Sequence, residues 1–201
     1  MHGDIMKNTT YRADDLERFL KRNVVATMSE MQRFLGTPVY KTVLRKLKQL
    51  SYRSSYSHGG GYYTLDKIAR FDDRGLWSYN DVRFSNHGTL MSTLRHFVDA
   101  SHSGYFADEL RQLLGVSVKQ SLLRLVGQGQ VCREKVANRY LYCSAESTAR
   151  KHQLGSRNLM DLSEQALSDE AKAAIIIFLS LLDEKQRRLY AGVEAIKYGL
   201  G

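Results

Sequence analysis

Apolar residues recur at helical spacing in the first part of the chain and predict two successive helices there. The first helix is predicted over Ala13–Arg22, and Val24-Val25 predicts a short extended stretch after it. Thr27 or Ser29 can cap the second helix, because either side chain can accept a hydrogen bond from a free N–H group of the first turn. Gly36 is expected to end that helix, since glycine favours the left-handed conformation at a helix C-terminus.

A third helix follows at once and carries the clearest start signal. Thr37-Pro38 joins a capping residue to a proline at the first helical position, and apolar residues then follow helical spacing up to Leu50. Strand-forming residues over Tyr52–Ser57 and Tyr62–Leu65 flank Gly59-Gly60-Gly61, a pattern that predicts a hairpin with a tight turn. This order of helices and strands is that of a winged helix-turn-helix.

The same pattern recurs at an offset of 79 residues. It predicts helices over Thr89–Ala100 and Ala107–Leu114 with Tyr105-Phe106 as the short strand between them, and a second hairpin from Val131–Val136 and Tyr140–Tyr142. The third helix of the repeat follows from matches in register, which are Phe34-Leu35-Gly36 with Leu113-Leu114-Gly115, and Val39, Val43, Leu44, Arg45 and Leu47 with Val118, Leu122, Leu123, Arg124 and Val126. Two units in register without a gap indicate an internal repeat.

The connector between the two units has a less regular pattern. Lys67–Phe71 predicts a short helix, and Leu76–Phe84 predicts a strand that can pair with one of the hairpins. Trp77 is expected to pack between the two units, in a structural role.

The tail predicts two further helices. Ser168 can cap a helix from Asp169 to about Leu181, and Asp183 can cap another through about Tyr198. Their broad apolar faces must be buried against the body of the protein or against a second chain, and both alternatives stay open. These faces comprise Ala173, Ala174, Ile177, Phe178 and Leu181 on the first helix, and Leu189, Val193 and Ile196 on the second.

These elements predict a mainly α chain with small β-hairpins, an α+β fold class. The expected architecture is two tandem winged-helix units plus a C-terminal helical pair. Residues 1–82 form the first unit with an N-terminal arm and the connector, residues 83–155 form the second unit, and residues 156–201 form the helical tail.

The charge distribution supports a polyanionic partner for the two units. The chain carries a net charge of +9. Residues 1–82 hold 14 basic and 9 acidic side chains, residues 83–155 hold 10 and 5, and residues 156–201 hold 6 and 7. The excess of positive charge therefore lies in the two units and not in the tail, and such a surface attracts nucleic acid.

Candidate DNA-binding residues follow from the geometry of helix-turn-helix proteins, in which the first turns of the third helix meet base edges. For the major groove these are Tyr40, Lys41 and Arg45 in the first unit, and Ser117, Lys119, Gln120 and Arg124 in the second. Lys46 and Lys48 are expected to meet phosphate. The hairpins offer His58 in the first unit, and Lys135, Asn138 and Arg139 around a predicted turn at Ala137-Asn138 in the second.

No pattern in the chain predicts catalysis, a cofactor or a metal. The sequence holds no nucleophile-elbow, phosphate-loop or dinucleotide-binding motif. Cys132 and Cys143 are expected to face each other near the open end of the second hairpin as small buried apolar residues, because neither has the close cysteine or histidine partner of a zinc site. The six histidines are scattered without metal-ligand spacing.

The sequence favours a cytoplasmic location without membrane contact. No apolar run reaches the roughly 18 residues of a membrane span, and the polar N-terminus lacks the apolar stretch of a secretory signal. Two cysteines alone do not suggest a disulfide framework, which fits a reducing compartment.

One segment of the tail resembles a known family. The residues Leu182–Ala195, LDEKQRRLYAGVEA, resemble a segment near the N-terminus of certain insertion-sequence transposases, where it leads into a further helix-turn-helix. The stretch Tyr63–Trp77 with the second repeat also looks like uncharacterised bacterial and archaeal proteins that couple such a tail to a winged-helix region. The catalytic acidic core of a transposase is absent, so the resemblance implies a DNA-binding regulatory or accessory protein and no transposase activity.

Three functions are thus compared. A double-stranded DNA binder, either a transcriptional regulator or a mobile-element accessory protein, is favoured because the expected recognition helices are basic. A protein-interaction scaffold is the alternative, and an apolar recognition-helix surface would favour it. An enzyme fragment is the least supported of the three.

Overall fold

The computed structural model describes residues 12–189, and it describes the side chains of all these residues except 161–168. Helices are joined by small antiparallel sheets, which confirms the predicted α+β class. The predicted N-terminal arm and the part of the second tail helix beyond Leu189 lie outside the described residues. Among the described helices, none combines the length and apolar character needed to cross a membrane.

The first unit contains three helices and a three-stranded sheet. In chain order its elements are α1 (Ala13–Asn23), β1 (Ala26–Thr27), α2 (Met28–Leu35), α3 (Tyr40–Gln49), β2 (Tyr52–Ser54) and β3 (Tyr62–Leu65). The strands lie in the order β1-β3-β2, and each is antiparallel to its neighbour. The predicted apolar stripes meet in one core, whose fully buried large side chains are Leu16, Leu20, Met31, Val43, Leu47 and Leu65.

Two predicted boundaries in this unit are wrong. The short strand is Ala26–Thr27 and not Val24-Val25, because Val24 takes a φ of +66° where α1 ends and so leaves the extended region. The third helix does not begin at Thr37-Pro38, and Val39 is its extended N-cap. Thr37 is buried in the turn before α3, where its hydroxyl accepts a hydrogen bond from the N–H of Val39. The hydroxyl of Thr37 thus bonds to the backbone of the turn and does not cap α3.

The connector makes a turn where a short helix is predicted at Lys67–Phe71. The N–H groups of Ile68 and Ala69 both donate to the carbonyl oxygen of Leu65, and the chain then leaves the helical conformation. One turn of this kind fixes several dihedral angles for few hydrogen bonds, so it does not propagate without an apolar face to bury.

The connector then forms a hairpin where one strand is predicted over Leu76–Phe84. Its strands are β4 (Leu76–Tyr79) and β5 (Val82–Ser85). Asn80 makes the fold-back possible, because its φ of +53° is left-handed and asparagine tolerates that conformation. The hairpin meets the loop of the first unit through a 2.9 Å hydrogen bond from the N–H of Tyr56 to the carbonyl of Arg83.

Trp77 packs on the connector, which corrects its predicted place between the units. It lies directly opposite Phe84 in the hairpin, so the two rings share a face with centroids 5.1 Å apart, and Phe71 covers the other edge at 6.5 Å. Tyr56 joins the units instead. Its side chain is buried in the core of the second unit, and its hydroxyl donates to the carbonyl oxygen of Leu114 at 3.0 Å.

The second unit has the same elements in the same order. They are α4 (Leu90–Ala100), β6 (Tyr105–Phe106), α5 (Ala107–Leu114), α6 (Lys119–Gly127), β7 (Val131–Val136) and β8 (Arg139–Ser144), with strand order β6-β8-β7. Ala137 and Asn138 both have positive φ, which confirms the predicted hairpin turn. The core is formed around the fully buried Leu94, Leu110, Leu114, Leu122 and Leu125.

The sheets of the two units keep the 79-residue offset of the sequence repeat. Ala26 pairs with Tyr63 in the first unit, and Tyr105 pairs with Tyr142 in the second. The start of the second helix is equivalent as well. Glu30 accepts a hydrogen bond from the N–H of Thr27, and Glu109 accepts one from the N–H of Phe106, both at 2.7 Å. Helices α2 and α5 then end at the left-handed glycines Gly36 and Gly115.

One long helix, α7 (Ser147–Leu181), starts the tail, so Ser168 lies inside a helix and does not cap one. The helix begins after Glu146, whose carboxylate accepts hydrogen bonds from two N–H groups of the first turn. This cap makes the start at Ser147 favourable and lets the helix run through the polar stretch before residue 168. The predicted domain boundaries at residues 82 and 155 therefore fall inside β5 and α7.

The second tail helix, α8, begins after Asp183 as predicted and is described over residues 184–189. The carboxylate of Asp183 accepts a 2.8 Å hydrogen bond from the N–H of Gln186, and the side chain of Gln186 accepts one from the N–H of Asp183. This reciprocal pair is a capping box, which fixes the start of the helix.

The first half of α7 packs on the second unit. Arg157 is 8% exposed, and its guanidinium contacts both carboxylate oxygens of Glu109 at 3.0 Å and the carbonyl oxygen of Gly104 at 2.9 Å. Beyond this arginine the described side chains of α7 are mostly exposed. The helix is therefore anchored at its N-terminal part and projects from the body.

Candidate nucleic-acid interface

Helix α3 presents a basic face opposite the core of the first unit. Val43 and Leu47 are fully buried, whereas Lys41, Arg45 and Lys48 are exposed on the other side of the helix. In the part of the chain that the structure describes, none of these three side chains makes an ion pair or a side-chain hydrogen bond. They are free to contact an anionic partner, and we call them the basic face of α3.

The remaining candidates on α3 lie at the edges of this face. Tyr40 is 47% exposed at the first position of the helix. Burial and a hydrogen bond with the Tyr40 hydroxyl raise the pKa of Tyr63 to about 12, so Tyr40 is held against strand β3. Lys46 is half-buried on the flank of the helix. The structure thus brings Lys41, Arg45 and Lys48 together and places Tyr40 and Lys46 beside them.

Helix α6 presents a corresponding but less basic face. Leu122 and Leu125 are fully buried, and Lys119, Gln120 and Arg124 are exposed. Ser117 is exposed as well, in the turn that leads from Gly115 into the helix. These candidates lie where the sequence repeat predicts, but Leu123, 37% exposed, stands among them.

The second hairpin divides its candidates between two faces. Successive residues of a strand point to opposite sides, and Val131 on β7 is buried in the core with the helices. Lys135, on the same side, is exposed and lies directly opposite Tyr140. Arg139 lies on the other side, where its guanidinium stacks over Phe106 at 3.7 Å.

Arg139 is also occupied by an ion pair. Its Nη2 atom lies 2.8 and 2.9 Å from the two carboxylate oxygens of Asp108, and this contact holds the pKa of Asp108 below its usual range. Asn138 is exposed at the tip of the turn. Lys135 and Asn138 are therefore accessible from the helix side of the sheet, whereas Arg139 is tied to α5.

The loop of the first hairpin is built into the junction between the units. His58 contacts Asp81 of the connector hairpin through Nε2 at 3.4 Å and the hydroxyl of Ser57 through Nδ1 at 2.9 Å. Ser57 and Tyr56 are buried beside it. His58 therefore lies at this junction and not at the free hairpin tip that the sequence predicts.

Sequence reasoning missed two residues on the helix side of the second hairpin. Arg133 shares that face with Lys135, and its guanidinium lies 4.2 Å from the centroid of the Tyr140 ring. Tyr140 is itself 50% exposed. Alternation along β7 from the buried Val131 finds Arg133, and alternation along β8 from the buried Tyr142 finds Tyr140. An arginine held on an exposed aromatic ring presents a planar cation to a phosphate or a base.

The described residues offer no competing site for metal chemistry, since no group of three or more histidine, cysteine, aspartate or glutamate side chains there could hold an ion. A pocket of about 520 Å³ lies between the connector and helix α4. His87 and His96 stack along it with ring centroids 3.6 Å apart. It faces neither Lys41 nor Arg124, so it is separate from the basic helices.

Comparison of the chain with protein-family models, with curated proteins and with solved structures gives no match. The features of the chain that bear on its function are therefore the repeat, the two exposed helix faces and the second hairpin.

Proposed function

We propose that the protein binds double-stranded DNA through two tandem winged-helix units. One observation carries the proposal: at equivalent places of the repeat, α3 and α6 each bury one face in a core and expose cations on the other. A helix fits the major groove, where arginine and lysine meet guanine and phosphate. The basic face of α3 is the stronger of the two because it holds three cations without partners in the described residues.

The second hairpin extends the surface around α6. Its helix side carries Arg133 and Lys135 with Tyr140 between them, and a hairpin in this position meets the sugar-phosphate backbone or the minor groove. The first hairpin makes no such contribution in this proposal, because its loop is packed against the connector. The two units thus contribute differently to the proposed DNA surface. The first unit contributes the more basic helix, α3, and the second unit contributes both a helix, α6, and a hairpin.

The role that fits this surface is regulation of DNA, as a transcriptional regulator or as an accessory protein of a mobile element. The resemblance of Leu182–Ala195 to a transposase segment supports the second of these. The proposal assigns no reaction and no cofactor to the chain, and it places the protein with DNA in the cytoplasm.

The test is a double charge reversal, Lys41→Glu with Arg45→Glu, measured by fluorescence anisotropy on a mixed-sequence duplex at about 0.15 M salt. We expect affinity to fall about tenfold or more, because two cations of the basic face become repulsive. The matched control is Lys151→Glu with Lys172→Glu, two exposed α7 lysines away from α3, which changes the net charge equally. Equal affinities of the two double variants would contradict the proposal, and circular dichroism checks that both variants are folded.

A protein-interaction scaffold is the second candidate, and one observation favours it. Phe34, Val39 and Tyr40 are 47%, 50% and 47% exposed around the start of α3, which is more apolar surface than a helix in the major groove requires. If a partner chain covers this patch, Val39→Asp abolishes its capture while Lys41→Glu does not. The DNA proposal predicts that Lys41→Glu has the larger effect on binding.

We also propose that the distal part of α7 pairs with a second copy of the chain. Ile175, Ile176 and Ile177 are 48%, 67% and 61% exposed, which is costly for a monomer in water. Asp169 and Glu170 precede this stretch, whereas Arg187 and Arg188 follow it on α8. Asp169 already pairs with Lys172, and Arg188 with Glu184, within the same chain. An antiparallel partner would therefore bring Glu170 of one copy towards Arg187 of the other.

Light scattering after gel filtration tests this pairing. We expect a dimer mass for the full chain and a monomer mass for Ile176→Asp, which puts a charge into the apolar stretch. Lys172→Ala, a neighbouring exposed position, is the control and should stay dimeric. A monomer mass for the unaltered chain at high concentration would contradict the pairing and leave the DNA proposal untouched.

A further inference from the structure

Two free thiols face each other across the second hairpin. Cys132 on β7 and Cys143 on β8 are direct partners in the antiparallel register. Residues opposite each other in such a ladder have Cα atoms about 4.5–5.5 Å apart and point to the same side of the sheet. A disulfide spans Cα separations of about 4.4–6.8 Å, so these two sulfurs can be joined without moving the strands apart.

The surroundings of the two sulfurs differ. Cys132 is partly exposed, and the Nη1 atom of Arg150 in the first turn of α7 lies 2.7 Å from its sulfur. Cys143 is fully buried between Gly104 and the side of α7 that carries Leu154, and burial raises the pKa of its thiol to about 11. Cysteines that react with oxidants are partly exposed and lie beside a cation, as Cys132 does. A buried neighbouring cysteine has no access to the oxidant and reacts second, with the oxidised sulfur.

The repeat shows that this pair belongs to the second unit alone. The positions 79 residues earlier are Arg53 and Thr64, which are also direct partners, in the first sheet. Arg53 bonds to Asp66, and the Thr64 hydroxyl donates to the carbonyl of Val24. The same architecture therefore folds with other residues here, and a structural requirement of the fold does not account for two cysteines.

We propose that Cys132 and Cys143 form an oxidation site, at which a hydroperoxide converts the two thiols into a cross-strand disulfide. Cys132 loses its proton to solvent, and its sulfur attacks the peroxide oxygen. The O–O bond breaks, an alcohol or water leaves, and Cys132 carries a sulfenic S–OH group. The sulfur of Cys143 then attacks that of Cys132, the S–S bond forms, and the S–O bond breaks.

The hydroxyl group leaves with the proton of Cys143 as water, so the two sulfurs together lose two electrons to the peroxide. In these steps Arg150 positions the sulfur of Cys132 and does not exchange a proton. It also lies 3.8 Å from Glu134, and this ion pair holds the guanidinium beside the sulfur of Cys132.

The experiment is titration of the reduced full chain with hydrogen peroxide, followed by alkylation with N-ethylmaleimide and mass spectrometry of non-reduced peptides. We expect both thiols to disappear together, the monomer mass to fall by two hydrogens, one peptide pair linking Cys132 to Cys143, and full recovery with dithiothreitol. Sulfinic acid on either cysteine without the linked pair, or two thiols that still alkylate after oxidation, would overturn the proposal.

Variants separate the two sulfurs. Cys143→Ser should accumulate a sulfenic acid on Cys132 that dimedone traps, and Cys132→Ser should leave Cys143 unreacted. Cys143→Ala serves as a second variant if serine at the buried position prevents folding. Arg150→Gln should slow the loss of thiols severalfold, and an unchanged rate would remove the positioning role of Arg150. The readout needs no DNA, so it is independent of the proposed function.

Discussion

The hydroxyl of Tyr56 donates a hydrogen bond to the carbonyl oxygen of Leu114 over 3.0 Å, and this bond joins the first unit to the last residue of α5 in the second. The guanidinium of Arg83 lies at the same place, within 2.4 Å of where a Cβ on Gly115 would be. Two groups from outside the second unit thus meet the turn that leads into α6. The contact holds the two candidate DNA-reading helices in one relative position.

Replacing Tyr56 by phenylalanine tests this joint. The ring stays, but a buried carbonyl loses its hydrogen bond, so the free energy of unfolding should fall by about 1 kcal/mol and the melting temperature by roughly 2–4 °C. Tyr79→Phe is the control, because Tyr79 is exposed at the end of β4 and its hydroxyl makes no hydrogen bond among the described residues. Equal melting temperatures for the two variants would show that the joint contributes nothing to stability.

The two glycines that end α2 and α5 form a matched pair for alanine substitution. Gly36 and Gly115 have φ values of +68° and +62°, so alanine at either position costs about 1 kcal/mol of backbone strain. A methyl group at Gly36 meets nothing within 4 Å, whereas at Gly115 it displaces Arg83. Chemical denaturation should therefore show a larger loss for Gly115→Ala, and Arg83→Ala should cancel the difference. A larger loss at Gly36 would contradict the structure.

Gln153, like Arg157, is a side chain through which α7 is hydrogen-bonded to the backbone of the second unit. It is 2% exposed, its Nε2 donates to the carbonyls of Val98 and Ser101 at 2.8 and 2.9 Å, and its Oε1 accepts from the N–H of Ser144 at 2.8 Å. Gln153→Ala removes three buried hydrogen bonds to backbone groups and should cost about 2–4 kcal/mol of unfolding free energy. Lys151→Ala, on the exposed side of the same helix, should cost under about 0.5 kcal/mol. A Gln153→Ala variant as stable as that control would show that water replaces these bonds.

The stacked histidines predict a pH dependence of stability. Burial, and then the charge of His96, hold the pKa of His87 below its usual range, against the opposing effect of a hydrogen bond to the Arg74 carbonyl. The unfolded chain therefore takes up this proton at about pH 6.5, whereas the folded chain takes it up only at a lower pH. Stability should be unaffected above that pH and should fall as the pH drops below it.

Urea unfolding at pH values on both sides of 6.5 checks this, with His87→Gln as the variant and His152→Gln, an exposed histidine on α7, as the control. We expect the loss of stability on acidification to be smaller in His87→Gln than in the control. The same pH dependence in both variants would place the responsible group elsewhere.

The sequence predicts most of the two units because their signals are local. Apolar spacing, the capping threonine at Thr27 and the glycines Gly36 and Gly115 each act within a few residues. The 79-residue offset then transfers the arrangement from one unit to the other, down to the strand register. The face of a hairpin residue is different, because it depends on what covers the sheet. Arg139 was predicted to contact DNA, but its guanidinium pairs with Asp108 and stacks on Phe106 instead.

The tail and the junction show the same limit. The start of α7 at Ser147 depends on the Glu146 cap and on anchoring by Gln153 and Arg157, and no apolar period marks that stretch. The carbonyl and carboxylate groups that accept hydrogen bonds from these two side chains lie 48 or more residues away along the chain. His58 was assigned to a hairpin tip, but its contact with Asp81 requires the connector to fold back. Contacts between distant segments decided each of these cases, and single-sequence patterns do not contain them.

Selection of bound fragments from a mixed duplex library, at about 0.15 M salt, tests directly whether the two units read DNA. We expect an enriched motif with two half-sites at one fixed spacing, since Tyr56 and Arg83 hold the units together. It also predicts that Lys41→Glu with Arg45→Glu erases one half-site and keeps the other. If no duplex is retained at that salt concentration, the protein does not bind DNA through these helices, and the proposed function is wrong.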